Sequence, residues 1–190
     1  MSKRNLIIQV LFGCCASIMA QSLTMSNAVF TCKYSPRLQI PTETRWQINK
    51  SDLGKTKREA SWRFISDVPT PFGVATHDSY KNSGFHRGHM CPAADRSCSR
   101  AYMKETFRMS NVCPQYPAVN TGAWKISEDA ERKLAVSLGS VRVLAMPLFF
   151  EKDTIWIGNG AVAVPHAFLK IIYDVNPDTI YKIYFVWNKK

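Results

Sequence analysis

The most regular polar and apolar pattern of the chain spans about residues 120–137. Asn120 or Thr121 suits the N-cap of a helix beginning there, and Gly139 suits its C-terminal end. Charged side chains recur at helical spacing between these points, which favours local ion pairs. We therefore expect one helix whose charged residues pair with each other, the acidic ones being Glu128, Asp129 and Glu131 and the basic ones Lys125, Arg132 and Lys133.

After Gly139 the pattern changes to apolar runs and alternation, which are typical of β-strands. Turn residues separate the runs, notably the Gly-Asn-Gly sequence at 158–160 and the Asn-Pro-Asp sequence at 176–178. We expect strands within 141–150, 154–157, 162–173 and 179–187.

The first half of the chain has weaker signals. Residues 21–60 are mixed and polar, with one extended stretch at 38–40. We expect a short strand at 61–65, a strand at 84–90 that ends before Pro92, a partly helical segment at 93–108 and a loop broken by two prolines at 111–117. The order of elements predicts a single α+β domain over 21–190, with a central, mostly antiparallel sheet and flanking helices.

The N-terminus has the pattern of an export signal. Lys3 and Arg4 precede a short apolar run, and small residues follow up to Ala20. We expect residues 1–20 to be a signal peptide cleaved near Ala20, which implies a secreted or periplasmic protein. Lipoprotein processing at Cys14 is the alternative. The apolar run is too short for a permanent membrane span.

Cysteine usage fits an oxidising compartment. Two of the six cysteines lie in the expected signal, and an even number remains: Cys32, Cys91, Cys98 and Cys113. We expect disulfides among these four, and three pairings are open. A zinc site is disfavoured because the sequence has no tight Cys-x-x-Cys pair.

The formal net charge is +11, from 25 Lys and Arg against 14 Asp and Glu. A surface this basic attracts polyanions, of which nucleic acid and anionic membrane are the usual examples. Charge alone also fits a soluble basic surface with no partner.

Two segments contain residues suited to phosphodiester hydrolysis, which needs a base, positive charge for the developing phosphate charge and stabilisation of the leaving oxygen. His89 is a candidate base, and Arg87 and Arg132 can grip phosphate oxygens. Asn120, Glu128 and Arg132 are spaced by eight and four residues, so a helix would place them on one broad face. A hard oxygen ligand at Asn120 could hold Mg²⁺.

Each residue also has a structural interpretation when taken alone. His89 could be an ordinary residue at a strand end, and Asn120 could be only a helix cap. Glu128 and Arg132 could form a solvated pair one helical turn apart.

Taken together, the segments resemble the DNA/RNA non-specific endonucleases, a ββα-metal (His-Me finger) family that includes endonuclease G. The family has Asp-Arg-Gly-His, then Ser-Asn-x-x-Pro-Gln, then Asn-x-Gly-x-Trp with a Glu and an Arg on the following helix. This chain has His-Arg-Gly-His at 86–89, Ser-Asn-Val-Cys-Pro-Gln at 110–115 and Asn-Thr-Gly-Ala-Trp at 120–124. The resemblance is firm over 84–132 and looser through the C-terminal strands.

The resemblance implies a role for each matching residue. His89 would be the general base, and Asn120 the single direct protein ligand of Mg²⁺, for which Mn²⁺ could substitute. Glu128 would orient metal-bound water, while Arg87 and Arg132 would bind phosphate. An upstream arginine often joins them; Arg58 is our choice and Arg63 the alternative. Asn111 and Gln115 are expected to brace the loop.

The implied enzyme is a metal-dependent endonuclease that hydrolyses DNA and RNA with little sequence specificity, because such contacts go mainly to phosphate and sugar. A homodimer is left open. His86 stands where the family has Asp, which an imidazole cannot replace electrostatically. We expect retained activity with a shifted pH optimum. The alternatives are a catalytically impaired nucleic-acid-binding relative and a disulfide-stabilised adhesion protein.

Overall fold

The computed structural model describes residues 22–69, 75–150, 153–176 and 179–190. The expected signal at 1–20 lies outside these residues, as does part of the turn predicted at 176–178. Within the described part, none of the helices has the length and apolar character needed to cross a bilayer.

A six-stranded antiparallel sheet forms the centre of the fold, in the order β1-β2-β3-β6-β9-β10. Two small antiparallel pairs, β4 with β5 and β7 with β8, lie outside it. The strands are β1 (Leu23–Ser26), β2 (Thr31–Ser35), β3 (Ile40–Asn49), β4 (His86–His89), β5 (Val112–Gln115), β6 (Ser140–Leu148), β7 (Trp156–Ile157), β8 (Val162–Ala163), β9 (Ala167–Tyr173) and β10 (Ile180–Trp187).

The described α-helices are α1 (Arg100–Glu105), α2 (Pro117–Thr121) and α3 (Ala123–Leu138). Short 3-10 turns occupy Lys50–Asp52, His77–Tyr80, Ala93–Arg96 and Met109–Asn111. Helix α3 ends at Gly139, whose φ of 88° requires the left-handed conformation that glycine adopts easily. The sheet and helices confirm the predicted α+β class.

The predicted helix at 120–137 is instead divided in two. Pro117 at the first position begins α2 earlier than expected, and Gly122 then interrupts the helix with φ −109° and ψ −107°. A β-carbon at Gly122 would lie 2.4 Å from the carbonyl oxygen of Ala118, so only glycine fits this kink. Asn120 is therefore in the last turn of α2, and neither it nor Thr121 caps α3.

Several strand predictions also need correction. Residues 112–115, predicted as loop, form β5; Pro114 is tolerated because the pair has only two strands. Residues 61–65 contribute only an isolated bridge at Ile65, and the single long strand predicted at 162–173 is divided between β8 and β9. Strands β1, β2 and β3 were missed, apart from the extended stretch at 38–40 that reaches the start of β3, because they are short or interrupted by polar residues.

The four cysteines are free thiols, so the expected disulfides are not formed. The Cys113 thiol donates to the Pro41 carbonyl oxygen over 3.8 Å. Burial raises the pKa of Cys32 to about 12, which keeps this thiol protonated. Cys91 is buried, whereas Cys98 is exposed. The three buried thiols therefore behave as small core residues.

Helix α3 packs on the sheet through aromatic and charged side chains. The rings of Trp124 and Phe168 have centroids 5.3 Å apart. Beside them, Lys170 on β9 lies 2.8 Å from the Glu131 carboxylate, and both side chains are fully buried. The Lys170 ammonium is also 4.3 Å from the Trp124 ring centroid. Glu131, predicted to pair on the helix surface, instead joins α3 to the sheet.

We predict that replacing one member of this buried pair is far more harmful than replacing both. Lys170→Met leaves Glu131 as an unpaired buried carboxylate, so we expect a loss of about 3–5 kcal/mol in unfolding free energy. The double variant Lys170→Met/Glu131→Met should recover most of that loss. Urea unfolding of both single variants and the double variant measures the coupling, and strictly additive losses would contradict the buried pairing.

Candidate active site

Strands β4 and β5 form an antiparallel pair, and α2 lies against β4. The pairing sets His86 opposite Gln115 and His89 opposite Val112. A β-carbon at Gly88 would lie 2.2 Å from the Gln115 side chain, so glycine is required for this close packing. The Trp124 indole donates to the His89 carbonyl oxygen over 2.9 Å. This bond fixes the start of α3 to the end of β4.

The His89 imidazole is held between aromatic rings. The ring centroids of Phe64 and Phe107 each lie 4.8 Å from its own. Its Nε2 atom is buried without a hydrogen-bond partner. Burial lowers the pKa of His89 to about 3, and the nearby Arg58 adds to the shift. The imidazole is therefore neutral at physiological pH and able to accept a proton.

Asn111 braces the chain that follows His89, as predicted. Its side-chain oxygen accepts from the Cys91 amide over 2.8 Å, and its nitrogen donates to the carbonyl oxygens of Cys91 and Thr106, each over 2.9 Å. Asn111 is fully buried. Three hydrogen bonds from one amide fix the backbone around the candidate base.

Most of the predicted site residues share one open cleft of about 880 Å³. It contains His89, Asn120, Glu128, Arg132 and the chosen upstream arginine, Arg58. Three lysines not predicted as site residues also line it: Lys55, Lys57 and Lys125. Five cations thus face one carboxylate in the cleft, which makes it attractive to an anionic ligand.

Arg87 is the exception among the predicted residues. Its guanidinium donates twice to the His77 carbonyl oxygen, over 2.8 and 2.5 Å, and lies 5.6 Å from the Tyr80 ring centroid. It does not line the cleft. Arg63, the alternative to Arg58, is exposed and likewise does not line it.

Asn120 is held by the unusual His86. The Asn120 Nδ2 atom lies 3.1 Å from His86 Nδ1, so the amide donates to an unprotonated ring nitrogen. The amide oxygen is then the atom available to a metal. The imidazole accepts here as a carboxylate could, although without its negative charge. His86 therefore braces the candidate ligand rather than the loop around His89.

Arg132 is oriented by Asp95, a residue to which the sequence analysis gave no role. The Asp95 carboxylate is fully buried and accepts from Arg132 Nη1 over 2.9 Å and from the Trp46 indole over 2.9 Å. Asp129 accepts from Arg132 Nη2 over 2.6 Å. Trp46 precedes Asp95 by 49 positions, and no local signal links them.

Glu128 is half-buried at the edge of the cleft. Burial raises its pKa to about 7, against the opposing effect of the Lys170 charge. Its carboxyl is therefore close to its titration midpoint at neutral pH. A carboxyl group of this kind in a cleft is a frequent property of functional sites.

The donor groups in the cleft fit a hydrated divalent metal. Within the described residues, no cluster of three or more His, Cys, Asp or Glu could enclose a metal ion. Zinc, which takes three or four such protein ligands, is therefore a poor match. The Asn120 amide oxygen and the Glu128 carboxylate are hard ligands, and Mg²⁺ keeps several waters and needs few protein ligands.

The sequence profile of the DNA/RNA non-specific endonucleases matches residues 17–190. The match covers all the described elements. The chain therefore belongs to the DNA/RNA non-specific endonuclease family, and its β4, β5 and α3 fit the strands and helix of the ββα-metal arrangement.

Sequence similarity to individual nucleases supports this family assignment. The chain is 35% identical over 160 residues to Nuclease 1, mitochondrial, of Schizosaccharomyces pombe, covering 77% of this chain and 49% of that protein. It is 32% identical over 157 residues to Endonuclease G, mitochondrial, of Bos taurus, covering 77% of this chain and 52% of that protein. The chain thus spans about half the length of these relatives.

The fold has a solved counterpart in the crystal structure of an EndoG/EndoGI complex. The TM-score is 0.77 at 26% sequence identity, with 87% of this chain and 74% of that chain covered. This structural similarity supports the α+β fold described above.

We predict that Asp95 supports DNA cleavage by holding Arg132. Asp95→Asn removes a buried charge facing Arg132, and we expect roughly a tenfold lower kcat/KM on plasmid DNA, equal to about 1.4 kcal/mol. The matched variant Asp129→Asn removes a more exposed partner of the same arginine and should cost less than about 1 kcal/mol. Equal losses in the two variants would show that Asp95 has no special role.

Proposed function

We propose that this protein is a metal-dependent endonuclease that hydrolyses phosphodiester bonds of DNA and RNA with little sequence preference. The observation that carries the proposal is a neutral, desolvated His89 in a cation-lined cleft that also contains Asn120 and Glu128. Family membership supports the same reaction class.

His89 acts as the general base that deprotonates the attacking water. Its low pKa keeps the imidazole unprotonated before substrate binds. A phosphodiester anion in the cleft favours the imidazolium and so raises the pKa towards a useful value for proton transfer. Phe64 and Phe107 hold the ring plane while the proton is accepted.

The cations of the cleft bind the phosphate and stabilise the charge that develops on it. Arg132 is pre-oriented by Asp95 and Asp129, so its fork loses little freedom on binding. Arg58 lies 4.9 Å from the Phe107 ring centroid, which places its charge near His89. Contacts of this kind go to phosphate rather than to base edges, which accounts for weak sequence preference.

Asn120 would hold the divalent ion and Glu128 would orient the water bound to it; we propose that the ion is Mg²⁺, with Mn²⁺ as a substitute. When bound, the ion supplies positive charge for the transition state and for the leaving 3′ oxygen. His86 fixes the Asn120 amide through its nitrogen. The kink at Gly122 sets the direction of α2, which carries Asn120, relative to α3, which carries Glu128.

The cellular location in which the protein acts is a separate proposal. The pattern of residues 1–20 supports export to the periplasm or the medium, where a nuclease would meet foreign DNA and RNA.

We predict that His89→Ala causes near-complete loss of cleavage without unfolding the protein. Loss of the general base should lower kcat on plasmid DNA and on RNA by about 10²–10⁴-fold, and EDTA should stop the wild-type reaction. Gel assays with Mg²⁺ or EDTA measure the cleavage rate, and circular dichroism shows whether the variant is folded. If His89→Ala cuts DNA at the wild-type rate, His89 is not the base. If the wild-type protein binds DNA but does not nick it, the protein is a catalytically impaired relative.

We predict that Glu128 sets the acid limb of the pH–rate profile. Its carboxylate is the active form, with a pKa of about 7 in the absence of metal, and a bound divalent ion would lower that pKa, so kcat/KM should fall as the pH drops below neutrality. His89, with a pKa of about 3, stays neutral over this range and contributes no limb. Glu128→Gln should be slower, with a nearly flat profile between about pH 5.5 and 8. An unchanged limb in that variant would contradict the assignment.

A further inference from the structure

A second cavity, of about 310 Å³, lies beside the start of α2. Tyr116, the residue before α2, forms one part of its wall. The end of the chain forms another part through Trp187, Lys189 and Lys190, whose side chains are exposed. None of these three has a role in the site described above.

The wall formed by the chain end is held in place by a buried amide. Asn188 is 7% exposed, and its side-chain oxygen accepts from the Tyr116 amide over 3.0 Å. Its nitrogen donates to the carbonyl oxygens of Pro114 and Pro165, over 3.0 and 2.9 Å. With Asn188 anchored inward, its neighbours Trp187 and Lys189 project outward. The cavity wall is therefore fixed directly against the base of α2.

The second cavity is close to the candidate metal ligand. Tyr116 and Asn120 are four residues apart, which on a helix corresponds to about 6 Å along the axis. Successive nucleotides of one strand in B-DNA rise by about 3.4 Å. A strand whose scissile phosphate lies at Asn120 would thus reach the second cavity within a few nucleotides.

The chemistry of the wall suits an unpaired nucleotide. Lys189 and Lys190 offer two charges to a phosphate, and the half-exposed Trp187 offers a ring to a base. Phe185 and Phe150 support that ring, with centroids 5.1 and 5.7 Å from it. Paired lysines beside an exposed aromatic ring are the usual means of binding single strands without sequence preference.

We propose that this cavity is a subsite for a single-stranded polynucleotide flanking the cleaved bond, with the flanking phosphate on Lys189 and Lys190 and an unpaired base against Trp187. The proposal rests on the nuclease function proposed above. One carboxylate, Asp153, also lines the cavity and opposes phosphate binding. A duplex keeps its bases stacked inside the helix, so Trp187 favours single strands over duplexes.

Binding of single strands in EDTA tests the subsite without requiring catalysis. We expect Lys189→Ala/Lys190→Ala to weaken binding of a fluorescent 12-nucleotide single-stranded DNA about five- to tenfold, and to reduce the slope of log Kd against log salt by about 1.4, or ~0.7 per lost phosphate contact. The control Lys50→Ala/Lys104→Ala removes two exposed charges that line neither cavity. Equal losses in the two double variants would overturn the subsite.

Two further variants separate stacking from charge. Trp187→Ala should weaken binding of the same DNA about fivefold or more, with the salt slope unchanged and with little effect on an abasic strand. Asp153→Asn should tighten binding. If Trp187→Ala binds the ordinary strand like the wild type, the proposed base contact is wrong.

Cleavage assays distinguish failure of the subsite from failure of the proposed function. Bis(p-nitrophenyl) phosphate has no flanking phosphate for Lys189 and Lys190 to bind, so Lys189→Ala/Lys190→Ala should hydrolyse it at the wild-type rate while KM for single-stranded DNA rises. If the wild type hydrolyses neither substrate but the binding differences persist, the subsite stands and the nuclease proposal fails. If the wild type cleaves both substrates and no variant alters binding, the nuclease proposal stands and the subsite fails.

Discussion

The position of α3 on the sheet depends on buried charge pairing. Asp95 joins Trp46 of β3 to Arg132 of α3, and the Lys170–Glu131 ion pair joins β9 to the same helix. Burying charges is costly unless each has a partner, so these contacts tolerate very few placements of the helix. Because α3 carries Glu128 and Arg132 into the cleft, the geometry of the candidate site depends on the packing beneath it. The side of α3 that faces the cleft and the side that packs on the sheet are both held by buried charge pairs.

The sequence predicted which residues share the cleft better than it predicted the residues that hold them in place. His89, Asn120, Glu128 and Arg132 could be assigned because they fall in two short segments with family spacing, and the structure brings them to one cleft. Asp95 could not be assigned a role, since its partner Trp46 is distant in sequence and pairing across a sheet leaves no local pattern.

Some elements of the fold were predicted correctly and others were not. The C-terminal strands were found because they have apolar runs or clear alternation, whereas β3 has Pro41 and then a polar run at 42–45, so only Trp46 and Ile48 show the alternation of a strand. The prediction of one continuous helix was wrong at Gly122, because a helical pattern of charges does not reveal a backbone kink. Arg87 does not line the cleft because its guanidinium binds the His77 carbonyl oxygen, and the sequence does not show that this oxygen lies within reach.

Asn188 has a consequence for the order in which the site is completed during synthesis. The chain emerges from the ribosome N-terminus first, so α2 and Asn120 are made about 70 residues before the amide that clamps the base of α2. The edge strand β10 and this clamp emerge only after those further residues have been made. A nascent chain therefore carries its candidate metal ligand on an unanchored helix while it is still close to ribosomal RNA, and the helix is fixed only once Asn188 has emerged.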